Sequence, residues 1–128
     1  MLTPYSHITK VFQSFEPRIL FAYIFGSTGT DSESSGSDLD IAVYFDMPAA
    51  AVELDHKLFL YAAVSRAMKR NDIDIVALNT CTNQMLLYEI MTQGRLLFED
   101  DFEARALFEQ QTLHKAIDFK QQRERIFG

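Results

Sequence analysis

A chain of 128 residues, 48% apolar and 23% charged, has the size and composition of one soluble domain that builds its own core, residues 1–128 with a C-terminal helix. Its net charge of −6 argues against a broad nucleic-acid surface, which needs Lys and Arg in excess on one face, and suits a basic protein partner. No apolar run is long enough to span a membrane, no signal peptide opens the chain, and the lone Cys81 forbids an internal disulfide, so a cytoplasmic protein without membrane contact is expected.

Thr3-Pro4 predicts a helix start, with Tyr5, Ile8, Val11, Phe12 and Phe15 at helical spacing before Pro17 closes it. Ile19 to Phe25 is then an unbroken run of apolar residues, aromatic and β-branched members prominent among them, ended by Gly26-Ser27; it reads as a buried strand. A serine-rich loop follows, and Ser37-Asp38-Leu39-Asp40 opens a second strand through Phe45. Pro48 leads into a helix expected over 49–70, with Leu54, Leu58, Tyr61, Val64 or Ser65, and Met68 as its stripe and Arg66, Lys69 and Arg70 at its negative end. Asn71 breaks that helix, and Asp72 to Leu78 reads as a third core strand. Thr82 is expected to cap a helix stopped by Gly94, Arg95 to Phe98 to form an edge strand, and the acids from Glu99 to Glu103 to start a last helix reaching Ile126. The fold class expected is α/β, a small mixed sheet with packed helices.

Residues two apart on a strand point the same way, so Asp38 and Asp40 share a face. Two carboxylates that close repel, and uncompensated they drive one towards its protonated form. A hard cation relieves the conflict, since Mg²⁺ takes one or two carboxylates together with phosphate oxygens and water. Gly26 lets backbone approach a phosphate, and the Ser27 hydroxyl can donate to the same oxygens. The implied substrate is a nucleoside triphosphate carried with Mg²⁺. His7, His56 and His114 lie in helical patterns and read as ordinary surface or packing residues.

Gly26-Ser27, ten intervening residues and Asp38-Leu39-Asp40 on a strand resemble the signature of the DNA polymerase β-like nucleotidyltransferase superfamily. The short chain, Asp72-Ile73-Asp74-Ile75-Val76, Tyr88 to Gly94 and Asp118-Phe119-Lys120 look like the minimal nucleotidyltransferases, the antitoxin half of HEPN/MNT toxin–antitoxin pairs. The resemblance implies Asp38, Asp40 and Asp74 as catalytic and metal-binding carboxylates around two Mg²⁺ ions, with Gly26, Ser27 and Ser37 binding the nucleotide. Asp74 is selected by its hydrophobic-Asp-hydrophobic-Val setting, which leaves Asp72 as a solvated or turn residue. ATP is the implied substrate, and the implied reaction is AMP transfer to a hydroxyl, that of a tyrosine, on a cognate HEPN ribonuclease toxin, which silences it.

The loop departs from the family pattern, because Asp31 and Glu33 stand where related loops often carry a base. Those acids either weaken ATP binding or point to water from a solvated turn. A catalytically weak antitoxin acting by stoichiometric binding is therefore an alternative. Adenylyl transfer to a small molecule is another, although about thirty residues after the edge strand leave little room for an acceptor domain. On the last helix Phe102, Ala106, Leu113, Ala116 and Ile117 form one apolar stripe, expected to dock on the sheet. Phe108, Phe119 and Ile126 form a second, either covered by a neighbouring helix or left for a partner, another protein or a second copy.

Overall fold

The computed structural model describes residues 5–26 and 38–127, with the side chains of 126 and 127 left aside. Its elements run α1 (Ser6–Ser14), β1 (Ile19–Phe25), β2 (Leu39–Phe45), α2 (Leu54–Met68), β3 (Ile73–Ala77), α3 (Gln84–Gln93), β4 (Arg95–Glu99) and α4 (Phe102–Phe127). The strands form one sheet in the order β3-β2-β1-β4. β1 runs antiparallel to both β2 and β4, whereas β3 is parallel to β2, so the sheet is mixed as expected.

All seven residues of β1 are buried, because the strand is central and covered on both faces. On one face Ile8 and Phe12 of α1 and Leu60 and Val64 of α2 pack against Ala22, Ile24, Ile41, Val43 and Phe45. On the other, Leu87 and Ile90 of α3, with Ala104 and Phe108 of α4, cover Phe21, Tyr23, Phe25 and Ala42. A register irregularity between Ile19 and Phe21 lets both Leu20 and Phe21 join this second face.

Several local expectations shift. Thr3 and Pro4 lie outside the described residues, and α1 begins after Tyr5 without a side-chain cap. The helix expected over 49–70 divides into a single 3₁₀ turn, Ala49–Ala51, and α2. A capping box starts α2: the Glu53 side chain accepts from the backbone of His56, and the His56 side chain accepts from the Glu53 backbone N–H at 3.0 Å. His56 is thus structural. Leu54 and Leu58, expected in the buried stripe, are exposed; Val64 meets the sheet as expected, joined by Leu60. Asn83 rather than Thr82 caps α3, its side chain accepting from the Leu86 N–H at 3.1 Å.

On α4, Asp101 accepts from the Ala104 N–H, as the acidic start predicts. The docking face is Ala104, Phe108, Thr112 and Ala116, and Phe102, Ala106 and Ile117 are exposed. Among the described residues no helix is long and apolar enough to cross a membrane.

Candidate active site

The antiparallel β1–β2 pair brings the end of one strand beside the start of the next, and Phe25 lies opposite Asp40. The parallel β2–β3 pair aligns Asp40 with Asp74 in register, so the two carboxylates project side by side from adjacent strands. Their face is the one under α3 and α4, because Ala42, two residues after Asp40, and Val76, two after Asp74, both pack there. Asp38 precedes β2 and is exposed, while Leu39 donates its N–H to the Asp72 carbonyl at 2.8 Å and starts the ladder. Asp38, expected on the strand with Asp40, thus lies one residue before it, while β3 sets Asp74 beside Asp40 on the rim.

Gly26 closes this rim on the β1 side with a left-handed φ of 76°. A Cβ there would overlap Asp40 Oδ2 and meet Asp40 Cγ at 3.4 Å, so the missing side chain is what lets the carboxylate lie against the chain. Ser27, Ser37, Asp31 and Glu33 fall outside the described residues.

Asp40 is half-buried, and its carboxyl is pushed above the ordinary range first by burial, then by Asp74, Asp38 and Glu89. Glu89, an exposed residue of α3, is a fourth acid at the rim that the sequence did not single out, since an exposed Glu on a helix is ordinary. Asp72 behaves oppositely: Arg70 grips it through two bonds of 2.5 and 2.6 Å, and that pairing lowers its pKa below the usual carboxylate range. Asp72, expected as a solvated or turn residue, is ion-paired, and Arg70 serves that pair beyond the end of α2.

Asn79 is the other residue sequence reasoning passed over. Its amide donates to the carbonyls of Phe45 and Met47 and its oxygen accepts from the Phe45 N–H, each at 2.9 Å, tying the chain after β3 to the end of β2. A single Asn in a loop ordinarily signals only a turn.

Among the described residues no group of three or more acids, histidines or cysteines is arranged as a metal site. Repulsion on Asp40 nevertheless shows that the acids share one electrostatic environment. A rim open on one side suits a cation whose remaining ligands are phosphate oxygens and water, the preference of Mg²⁺.

The family model described as polymerase beta, nucleotidyltransferase, matches residues 6–103. A chain of a mutant MntA-HpeT toxin–antitoxin aligns with TM-score 0.79 and 22% identity, over 98% of this chain and 95% of that one. A chain of the toxin–antitoxin with AMP-PNP gives 0.79 and 24% over the same shares. A chain of the complex between tri-AMPylated Shewanella oneidensis HEPN toxin and MNT antitoxin gives 0.70 and 22% over 97% and 95%. At these identities the likeness establishes the fold. No curated protein matches the sequence.

Proposed function

The chain belongs to the polymerase β nucleotidyltransferase family, and from that premise we propose that residues 1–128 form one minimal, Mg²⁺-dependent antitoxin enzyme. It transfers AMP from ATP to a tyrosine hydroxyl of a cognate HEPN toxin and thereby neutralises it. The observation that carries this reading is Asp40 beside Asp74 in register, on a rim kept open by Gly26. The solved structures of the same fold support the choice of partner and nucleotide, being toxin–antitoxin complexes, one with AMP-PNP and one with an AMPylated toxin.

Asp38 and Asp40 would hold two Mg²⁺ ions and Asp74 would complete the site on the attacking side. When bound, the ions offset the charge of the triphosphate and of the entering and leaving oxygens. Gly26 admits the backbone to the β- and γ-phosphates, with the Ser27 and Ser37 hydroxyls donating to them. The acceptor oxygen forms a bond to the α-phosphorus, the bridging α–β bond breaks, and pyrophosphate leaves with the electron pair. Asp74, exposed on the rim, takes the acceptor's proton.

Incubation with α-labelled ATP, Mg²⁺ and the product of the neighbouring reading frame tests the proposal. Label on that protein is expected, and the Asp40→Asn, Asp74→Asn double variant should transfer none. A tight unlabelled complex would mean neutralisation by binding, and label on a small molecule alone would mean a different acceptor.

A further inference from the structure

A cavity of about 440 Å³ opens between the first half of α3 and the second half of α4, a size at which proteins hold small molecules. Its apolar walls are Met85 and Tyr88 on α3 and Ala116 and Phe119 on α4. Ala116 is small and buried, and so leaves the room that a larger side chain between the two helices would fill. Lys120, Arg123 and Glu124 share its helix face, and all three line the cavity with Gln84.

The polar groups of this wall lack the partners such groups ordinarily have. Gln84 Oε1 is buried, and among the described residues nothing donates to it. Arg123 Nη1 donates to Met85 Sδ at 3.8 Å, and a thioether sulfur is a weak acceptor. Among the described residues none of Lys120, Arg123 and Glu124 makes an ion pair. Bases near a helix C-terminus are ordinary. The helix dipole accounts neither for a guanidinium reaching across to α3 nor for a buried acceptor left without a donor.

Two cations, one acid and one orphaned acceptor around an apolar hollow complement a molecule that carries a carboxylate, an ammonium and an apolar body together. We propose that this cavity binds a free apolar α-amino acid as its zwitterion. Arg123 and Lys120 take the carboxylate, the guanidinium exchanging sulfur for a charged acceptor. Gln84 Oε1 and Glu124 accept from the ammonium, and the side chain lies against Tyr88, Phe119, Met85 and Ala116. A nucleotide or another plain anion would meet Glu124 with nothing to offset it, and the carboxyl end of a polypeptide has no ammonium to offer. Gly26, Asp38, Asp40 and Asp74 do not line the cavity, so the proposal stands independently of the function proposed above.

Titration calorimetry of the full chain against leucine, isoleucine, methionine, phenylalanine and tryptophan tests the proposal. Phenylalanine or tryptophan is expected to bind most tightly, with a dissociation constant of roughly 1 mM or below. Phenethylamine, which lacks the carboxylate, and 3-phenylpropionate, which lacks the ammonium, should each bind roughly tenfold more weakly than phenylalanine. Arg123→Gln, an exposed substitution that should leave the circular dichroism unchanged, should weaken phenylalanine by a similar factor and leave phenethylamine as it was. Gln84→Leu should do the reverse, weakening phenethylamine and sparing 3-phenylpropionate. A parent that binds none of the five amino acids up to their solubility overturns the proposal, as does binding indifferent to both substitutions. N-acetylphenylalanine bound as tightly as phenylalanine would mean that the cavity receives a polypeptide end, and displacement of phenylalanine by AMP would mean a nucleotide pocket; either result overturns the amino-acid assignment.

Discussion

At Gly26 two demands meet in one residue. The φ of 76° favours glycine by about 1 kcal/mol over alanine, and the Asp40 carboxylate fills the space a Cβ would take. Gly26→Ala should therefore cost about 1–3 kcal/mol of stability and displace Asp40. Urea unfolding measures the first effect, and a variant as stable as the parent would overturn the close approach. Asp40 itself gives a pH prediction whose sign follows from its raised folded value. Protonated Asp40 favours the fold below the ordinary aspartate value of 3.8, and this contribution is lost as pH rises through the raised one. In EDTA at neutral pH the charged carboxylate is then a cost, and Asp40→Asn should melt higher than the parent. The gap should close below pH 3.8. Thermal scans over a pH series decide this, and a variant less stable than the parent at neutral pH would sink the account.

At the scale of elements, the strands were legible because aromatic and β-branched residues ran without interruption between glycine, serine and aspartate signals. The position of Asp40 and Asp74 was legible for a related reason, since each stands at the start of an apolar strand run and the parallel pairing sets the two side by side. Helix faces were not. α2 carries apolar residues on both sides, so periodicity alone cannot tell Leu60, which packs on the sheet, from Leu58, which does not. The same ambiguity split the second stripe of α4. Phe108 stands 5.6 Å from the Phe21 ring and 5.3 Å from that of Tyr44, within a core cluster, whereas Phe119 is 37% exposed and lies outside it. Phe108→Ala should accordingly destabilise the fold by about 2–3 kcal/mol, less than a fully buried phenylalanine would. Phe119→Ala should stay within about 0.5 kcal/mol of the parent. Equal melting temperatures for the two variants would mean that α4 is not anchored through Phe108.

Across the whole molecule the sheet acts as a partition. One face carries the acidic rim under α3 and α4, and the other carries α1 and α2, with Leu54, Leu58 and Phe59 of α2 exposed. A chain of net charge −6, with Asp38, Asp40, Asp74 and Glu89 at its rim, repels a triphosphate unless cations intervene. That repulsion has a salt signature. Raising ionic strength shortens the Debye length to about 8 Å at physiological salt and screens exposed charges beyond it. In EDTA, ATP should bind weakly, and adding monovalent salt should strengthen its binding or leave it unchanged, because what is screened is unfavourable. With Mg²⁺ present the interaction becomes attractive, and salt should weaken it. Titration calorimetry with a non-hydrolysable ATP analogue, run at low and high potassium chloride with and without Mg²⁺, distinguishes the two regimes. Binding that is tight in EDTA and falls with salt would show that basic side chains, not cations held by the rim, receive the phosphates, and Asp38, Asp40 and Asp74 would lose their proposed role.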